Sequence, residues 1–185
     1  MMQMLQAGGI PILTDGIRQP DQDNPRGYME WEPVKMLRSG SDWLESATGH
    51  AVKMVHLLLP ELPTHLQYRI LFMRREMSEI LASQQAMLDR LGKKGSGISP
   101  EELAKAYQAQ IERVMNWLSA STNIRVQEVS YADLVTDAEP VILAIQTFLG
   151  CELDRSAMRA AVDPNLYRNR VPRKPTHQPP GQLPG

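Results

Sequence analysis

Arg74 and Arg75 close an apolar run, Tyr68 to Met73, and lead directly into a stretch of good helix formers. An arginine at a strand-to-helix junction makes an anion site, because its fixed guanidinium donors join unpaired helix N–H groups and a favourable dipole. Ser83 follows Arg75 by eight residues, a little over two helical turns, and could face the same ligand. Alternatively, the arginine lies along the surface and Ser83 faces solvent. Lys53 and His56 interrupt another apolar segment, Ala51 to Leu59. A lysine there must reach an anion, a carboxylate or solvent, since burying it unpaired is costly. A single histidine in a strand more often has a structural or edge role than a catalytic one. Glu30 and Glu32 offer carboxylates for general-base work, although such pairs are commonly just solvated. Tyr131 stands just after a third run and could stack on a base, and Tyr167-Arg168-Asn169-Arg170 forms a second basic and aromatic cluster. Trp31, Trp43 and Trp117 read as packing residues, and Cys151 as structural.

Three strands and several helices must position these groups. The segments 51–59, 68–73 and 124–129 are short, apolar and β-rich, as buried parallel strands are. Only eight residues separate Leu59 from Tyr68, fewer than the roughly dozen of a parallel crossover, so the first strand could end near His56. Met1 to Ala7 reads as the last turns of a helix stopped by Gly8-Gly9. Residues 10–35 carry Pro11, Pro20, Pro25 and Pro33 and read as irregular chain, with a turn at Asn24-Pro25-Arg26-Gly27 and a short helix after Pro33. Met77, Ile80, Leu81, Met87, Leu88 and Leu91 mark a helix over about 76–91, which a glycine-rich linker at 92–97 ends. Ser99-Pro100-Glu101-Glu102 predicts a capped helix start, continued by Leu103, Tyr107, Ile111, Val114 and Leu118. Further helices are expected from Thr136 or Asp137 to Gly150 and over 154–162. Strands alternating with helices mean an α/β fold with a mostly parallel sheet over residues 1–170. Residues 171–185 hold five prolines and read as a disordered tail.

Composition excludes more than it assigns. The 185 residues carry a formal net charge of −1, which lacks the basic excess of a general nucleic-acid binder. A single cysteine forbids an internal disulfide and any multi-cysteine metal site, so no metal is expected and a reducing, cytoplasmic setting is the default. No apolar run approaches the roughly 18 residues of a spanning helix, and no membrane partner is expected.

Arg75-Glu76-Met77-Ser78-Glu79-Ile80-Leu81-Ala82-Ser83 after an apolar strand resembles the 3′-phosphate-binding segment of the sulfotransferase family, in which an arginine and a serine share this spacing. Val129-Ser130-Tyr131-Ala132-Asp133-Leu134 and the helix ending Phe148-Leu149-Gly150 are similar to that family's next stretch. Leu13-Thr14-Asp15-Gly16, Asn24-Pro25-Arg26-Gly27-Tyr28 and Asp163-Pro164-Asn165-Leu166-Tyr167-Arg168 resemble a bacterial branch of it. The resemblance implies a P-loop-like fold and sulfuryl transfer from 3′-phosphoadenosine 5′-phosphosulfate to a hydroxyl or amine of a small molecule or glycan. Arg75 and Ser83 would then hold the 3′-phosphate, Tyr131 would lie near the adenine, and Arg168 and Arg170 would join the nucleotide-binding residues. Lys53 would face the transferred group. His56 follows that lysine by three positions where family members with a histidine base have two, and Glu30 or Glu32 is the alternative base.

One family feature has no counterpart: the first strand and the Gly/Ser/Thr-rich loop that cradles the 5′-phosphosulfate. Met1 falls within the helix that would follow them, and Gly92 to Gly97 follows a helix rather than a strand. The expectation is an N-terminally truncated chain with little transfer activity and a sheet edge open to self-association. The alternatives are a non-catalytic nucleotide-binding or interaction module, or another phosphate-handling enzyme on a similar sheet.

Overall fold

A computed structural model describes residues 1–22, 24–92 and 97–167. In chain order the regular elements are α1 (Met2–Ala7), α2 (Trp43–Ser46), β1 (Tyr68–Arg74), α3 (Met77–Arg90), α4 (Pro100–Ala120), β2 (Ile124–Ser130), α5 (Tyr131–Thr136), α6 (Ala138–Leu149) and α7 (Arg155–Ala161). Short 3-10 segments cover Glu32–Met36, His56–Glu61 and Pro164–Leu166. β1 and β2 pair in parallel from Tyr68 opposite Ile124 to Arg74 opposite Ser130.

Side chains alternate across a strand, so this register divides the apolar residues between two layers. Tyr68, Ile70 and Phe72 join Ile124 and Val126 on one face, packed with Val114 and Leu118 of α4 and with Leu59 and Leu62. Leu71, Met73 and Val129 face the other way, onto Ile142 and Ile145 of α6, Met4 and Leu5 of α1, and Met158 of α7. Helices on both faces of a parallel sheet give the expected α/β architecture.

Local side-chain chemistry caps several of the helices. Ser99 and Glu102 form a reciprocal capping box at the start of α4, with Pro100 in the first turn. Ser130 and Asp154 accept from the amides of Asp133 and Ala157, capping α5 and α7. Gly150 ends α6 at φ +65°, a left-handed conformation that a side chain would strain.

The expected strand over Ala51–Leu59 does not form. Ala51 makes one isolated parallel bridge with Ile12, the chain stays extended to Val55, and it then turns into the 3-10 segment. Among the described residues nothing else pairs with this stretch, Pro60 removes a donor, and the connector to β1 is too short for a crossover. Its apolar residues instead close one core layer, with Leu59 and Leu62 buried and Met54 and Leu58 packed beside them. Two short helices, α2 and α5, escape the periodicity argument because each is under two turns. The three tryptophans do pack: Trp31 and Trp43 meet edge to face at 4.8 Å, and Trp43 and Trp117 lie against the core. Cys151 is exposed and so has no packing role. The tail at 171–185 and residues 93–96 of the linker lie outside the described residues.

The α1–α7 contact is unusually close. A Cβ on Gly8 would sit 2.6 Å from Met158 Cγ and 2.8 Å from its sulfur, and Met158 is fully buried. Gly8 has an ordinary right-handed backbone, so alanine there would otherwise be neutral or favourable. Gly8→Ala is therefore expected to lose about 1–3 kcal/mol in denaturant unfolding. A gain in stability would show that the seam is loose.

Candidate functional site

Parallel pairing brings the carboxyl ends of β1 and β2 to one side, and the register sets Arg75 beside Tyr131. Arg75 Nε donates to Glu79 Oε2 at 3.0 Å, one helical turn on, and its guanidinium carbon lies 5.2 Å from the Tyr131 ring centre. Tyr167 closes the cluster. Its hydroxyl donates to Glu79 Oε1 at 2.6 Å, and its ring meets Tyr131 edge to face at 5.2 Å. Ser83 of α3 lines a shallow hollow of about 210 Å³ together with Arg75, Ile80, Gln84 and Met87. The Arg75 side chain is a quarter exposed, whereas that of Glu79 is 1% exposed. Arg75 thus shares a hollow with Ser83 on one side and meets Tyr131 on the other. Glu79 was not among the sequence candidates, and Tyr167 stood out only in the Tyr167-Arg168-Asn169-Arg170 cluster, not as a neighbour of Arg75. An acidic residue on a helix reads as solvated, and a tyrosine 88 residues away carries no spacing signal. Arg168 and Arg170 lie outside the described residues.

A second cluster surrounds Lys53. Its ammonium donates to the Tyr28 carbonyl at 2.9 Å and lies 3.4 Å from Glu30 Oε1. Arg18 reaches the same carboxylate oxygen at 3.2 Å and stacks over the Tyr28 ring at 3.3 Å. Met29, between the two acceptors, has φ +47°, a conformation rare outside glycine. That left-handed turn brings a carbonyl and a carboxylate to one ammonium. Burial, and then repulsion from Lys53, lower the Met1 amine below its ordinary value.

Neither of the other two candidates joins this cluster through a described contact. Glu32 pairs with Lys35. His56 opens the 3-10 segment with its Nε2 buried and without a hydrogen-bond partner among the described residues.

The backbone carrying Glu30 and Glu32 is held by Thr14-Asp15. Asp15 N–H and the Thr14 hydroxyl both donate to the Glu30 carbonyl, at 3.2 and 3.1 Å. The Asp15 carboxylate accepts from Ile17 N–H at 2.9 Å and Glu32 N–H at 2.6 Å. Arg26 in turn bonds the Ala161 carbonyl and the Asp163 carboxylate, at 2.9 and 2.8 Å, which ties residues 24–28 to the segment bearing Tyr167. A larger hollow, about 560 Å³, runs along β2 beside Glu128, Asp133 and Asp137 and holds none of the candidate side chains. Its acidic lining suits an anion poorly. Among the described residues no helix is long and apolar enough to cross a membrane, and no acidic, histidine or cysteine cluster could hold a metal ion.

The family model of the sulfotransferase family matches residues 23–155. The chain belongs to that family, and its general function is that of a sulfotransferase. The matched range takes in Glu30, Glu32, Lys53, His56, Arg75, Ser83 and Tyr131. Comparison with curated proteins and with solved structures gives no match.

The Asp15 hub has a readable pH dependence. Hydrogen bonds from the Ile17 and then the Glu32 amide hold its carboxyl below the ordinary 3.8. A depressed folded value stabilises fully above the unfolded value and is lost as pH falls through the folded one. The protection of the Glu32 amide against hydrogen exchange, relative to an unstructured amide at the same pH, is expected to hold above pH 3.8 and to fall below it. Asp15→Asn should remove that acid step, and a step of equal size in both proteins would assign it to another group.

Proposed function

We propose that this chain binds 3′-phosphoadenosine 5′-phosphosulfate with its 3′-phosphate at Arg75 and Ser83 and its adenine near Tyr131, and that it serves sulfuryl transfer to a hydroxyl or amine acceptor. The observation that carries the reading is the hollow shared by Arg75 and Ser83 at the carboxyl end of β1. An arginine fixed by a carboxylate on its Nε side is preorganised for a doubly charged oxyanion, and a hydroxyl two turns along the helix adds a neutral donor. That donor set fits a phosphate monoester. When bound, the donor supplies an electrophilic sulfur and a nucleotide leaving group.

The remaining roles belong to the second cluster. Lys53 is the cation for charge that develops on the transferred group. What favours Glu30 over Glu32 as the base is its contact with Lys53, since Glu32 is engaged by Lys35. The orphaned Nε2 of His56 supports it as the other base, because a buried ring nitrogen without a partner has an unmet hydrogen-bonding requirement. The acceptor class is a small molecule or glycan.

A specific observation also favours the non-catalytic reading, in which the fold binds nucleotide without turnover. Among the described residues no glycine-rich loop follows a strand, and Lys53 is tied to Tyr28 and Glu30.

Calorimetric titration with adenosine 3′,5′-bisphosphate tests the binding assignment shared by both readings. Arg75→Ala should weaken binding by about 1.5–3 kcal/mol, the cost of a charge-assisted contact. Equal affinity in both proteins would remove the site. Turnover of the sulfuryl donor then separates enzyme from binding module: Lys53→Ala should abolish any transfer that the unmodified chain supports.

A further inference from the structure

Glu79 is an expensive residue where it stands. It is 2% exposed, whereas every other side chain of α3 is more accessible, and an ionised carboxylate withdrawn from water must be paired to be tolerated. Apolar residues of similar size often replace buried ion pairs without loss of stability, so packing alone gives no reason for a charge here. Each of its oxygens meets a different element: Oε2 takes Arg75 Nε and Oε1 takes the Tyr167 hydroxyl. The bond to Nε fixes rotation of the guanidinium about its own axis. Tyr131 and Tyr167, perpendicular to each other at 86°, add two ring walls, their centres 5.2 and 5.7 Å from the guanidinium carbon. Tyr167 is itself delivered by a segment that Arg26 clasps through Ala161 and Asp163.

We infer that Glu79 and Tyr167 are positioning residues that brace Arg75 for recognition of a 3′-phosphate, so residues 162–167 after α7 support the nucleotide site. This inference rests on the assignment of Arg75 to that phosphate. The brace acts by removing the orientational freedom that a long side chain otherwise loses on binding. Its signature is therefore selectivity: it strengthens contact with the 3′-phosphate and leaves the rest of the nucleotide alone.

The test compares adenosine 3′,5′-bisphosphate with adenosine 5′-monophosphate by calorimetry on the full 185-residue chain. Tyr167→Phe deletes one hydroxyl and keeps the ring walls. It should weaken the bisphosphate roughly 3- to 10-fold, the worth of one hydrogen bond, and leave the monophosphate unchanged. Combined with Arg75→Ala it should cause no further loss, because the brace acts only through that arginine. Glu79→Gln should show the same selectivity change as Tyr167→Phe. If Arg75→Ala loses selectivity for the bisphosphate and Tyr167→Phe does not, or if Tyr167→Phe weakens both ligands equally, the brace is wrong and the phosphate assignment stands. If Arg75→Ala leaves that selectivity intact, or the unmodified chain has none, the assignment itself fails and the brace falls with it.

Discussion

The pairing of β1 with β2 is the constraint on which the rest of this molecule depends. Two parallel strands end on the same side, and with Arg74 opposite Ser130 both chains leave the sheet at one level. A slip of one residue would turn Phe72 and Leu71 to the wrong layers and separate Arg75 from Tyr131 in the same step. The core and the Arg75–Tyr131 cluster are thus specified by a single register. A change that shifts the register disturbs both.

Magnitudes rank the contributions to that register. Burying Val129, Leu134, Ile142, Ile145 and Met158, all at most 3% exposed, contributes roughly 1.5–3 kcal/mol per side chain. The exposed pair between Arg74 and Glu128, which also joins the two strands, is worth about 0–1 kcal/mol at most. Apolar layers therefore set the alignment, and surface charges decorate it. Glu79 is the exception, a charge within the packed region whose retention follows from what it does to Arg75 rather than from what it adds to stability.

Much of this was legible because it is local. Capping chemistry at Ser99, the left-handed stop at Gly150 and the strand-to-helix junction at Arg75 each depend on residues within two turns of one another. The failure at Ala51–Leu59 is of another kind. An apolar, β-rich run states that a segment will be buried, but a strand also needs a neighbour, and neighbours are not encoded in the segment. The same gap hid the Lys53–Glu30 contact, which depends on the left-handed Met29 and on Asp15 holding the backbone beyond it. Tyr167 lay outside any periodic reading because its partner sits on α3.

The seam between α1 and α7 also bears on how the chain comes to be folded on the ribosome. Met4 and Leu5 find their cover in Met158 and its neighbours, about 150 residues later in synthesis. At translation speeds of about 5–20 residues per second, the apolar face of α1 waits roughly 8 to 30 seconds before its lid is made. Through that interval it is open to whatever apolar surface is nearest, so a nascent-chain holdase matters more here than for a helix that packs on its neighbour in sequence. Two described elements about 150 residues apart thus depend on each other for cover.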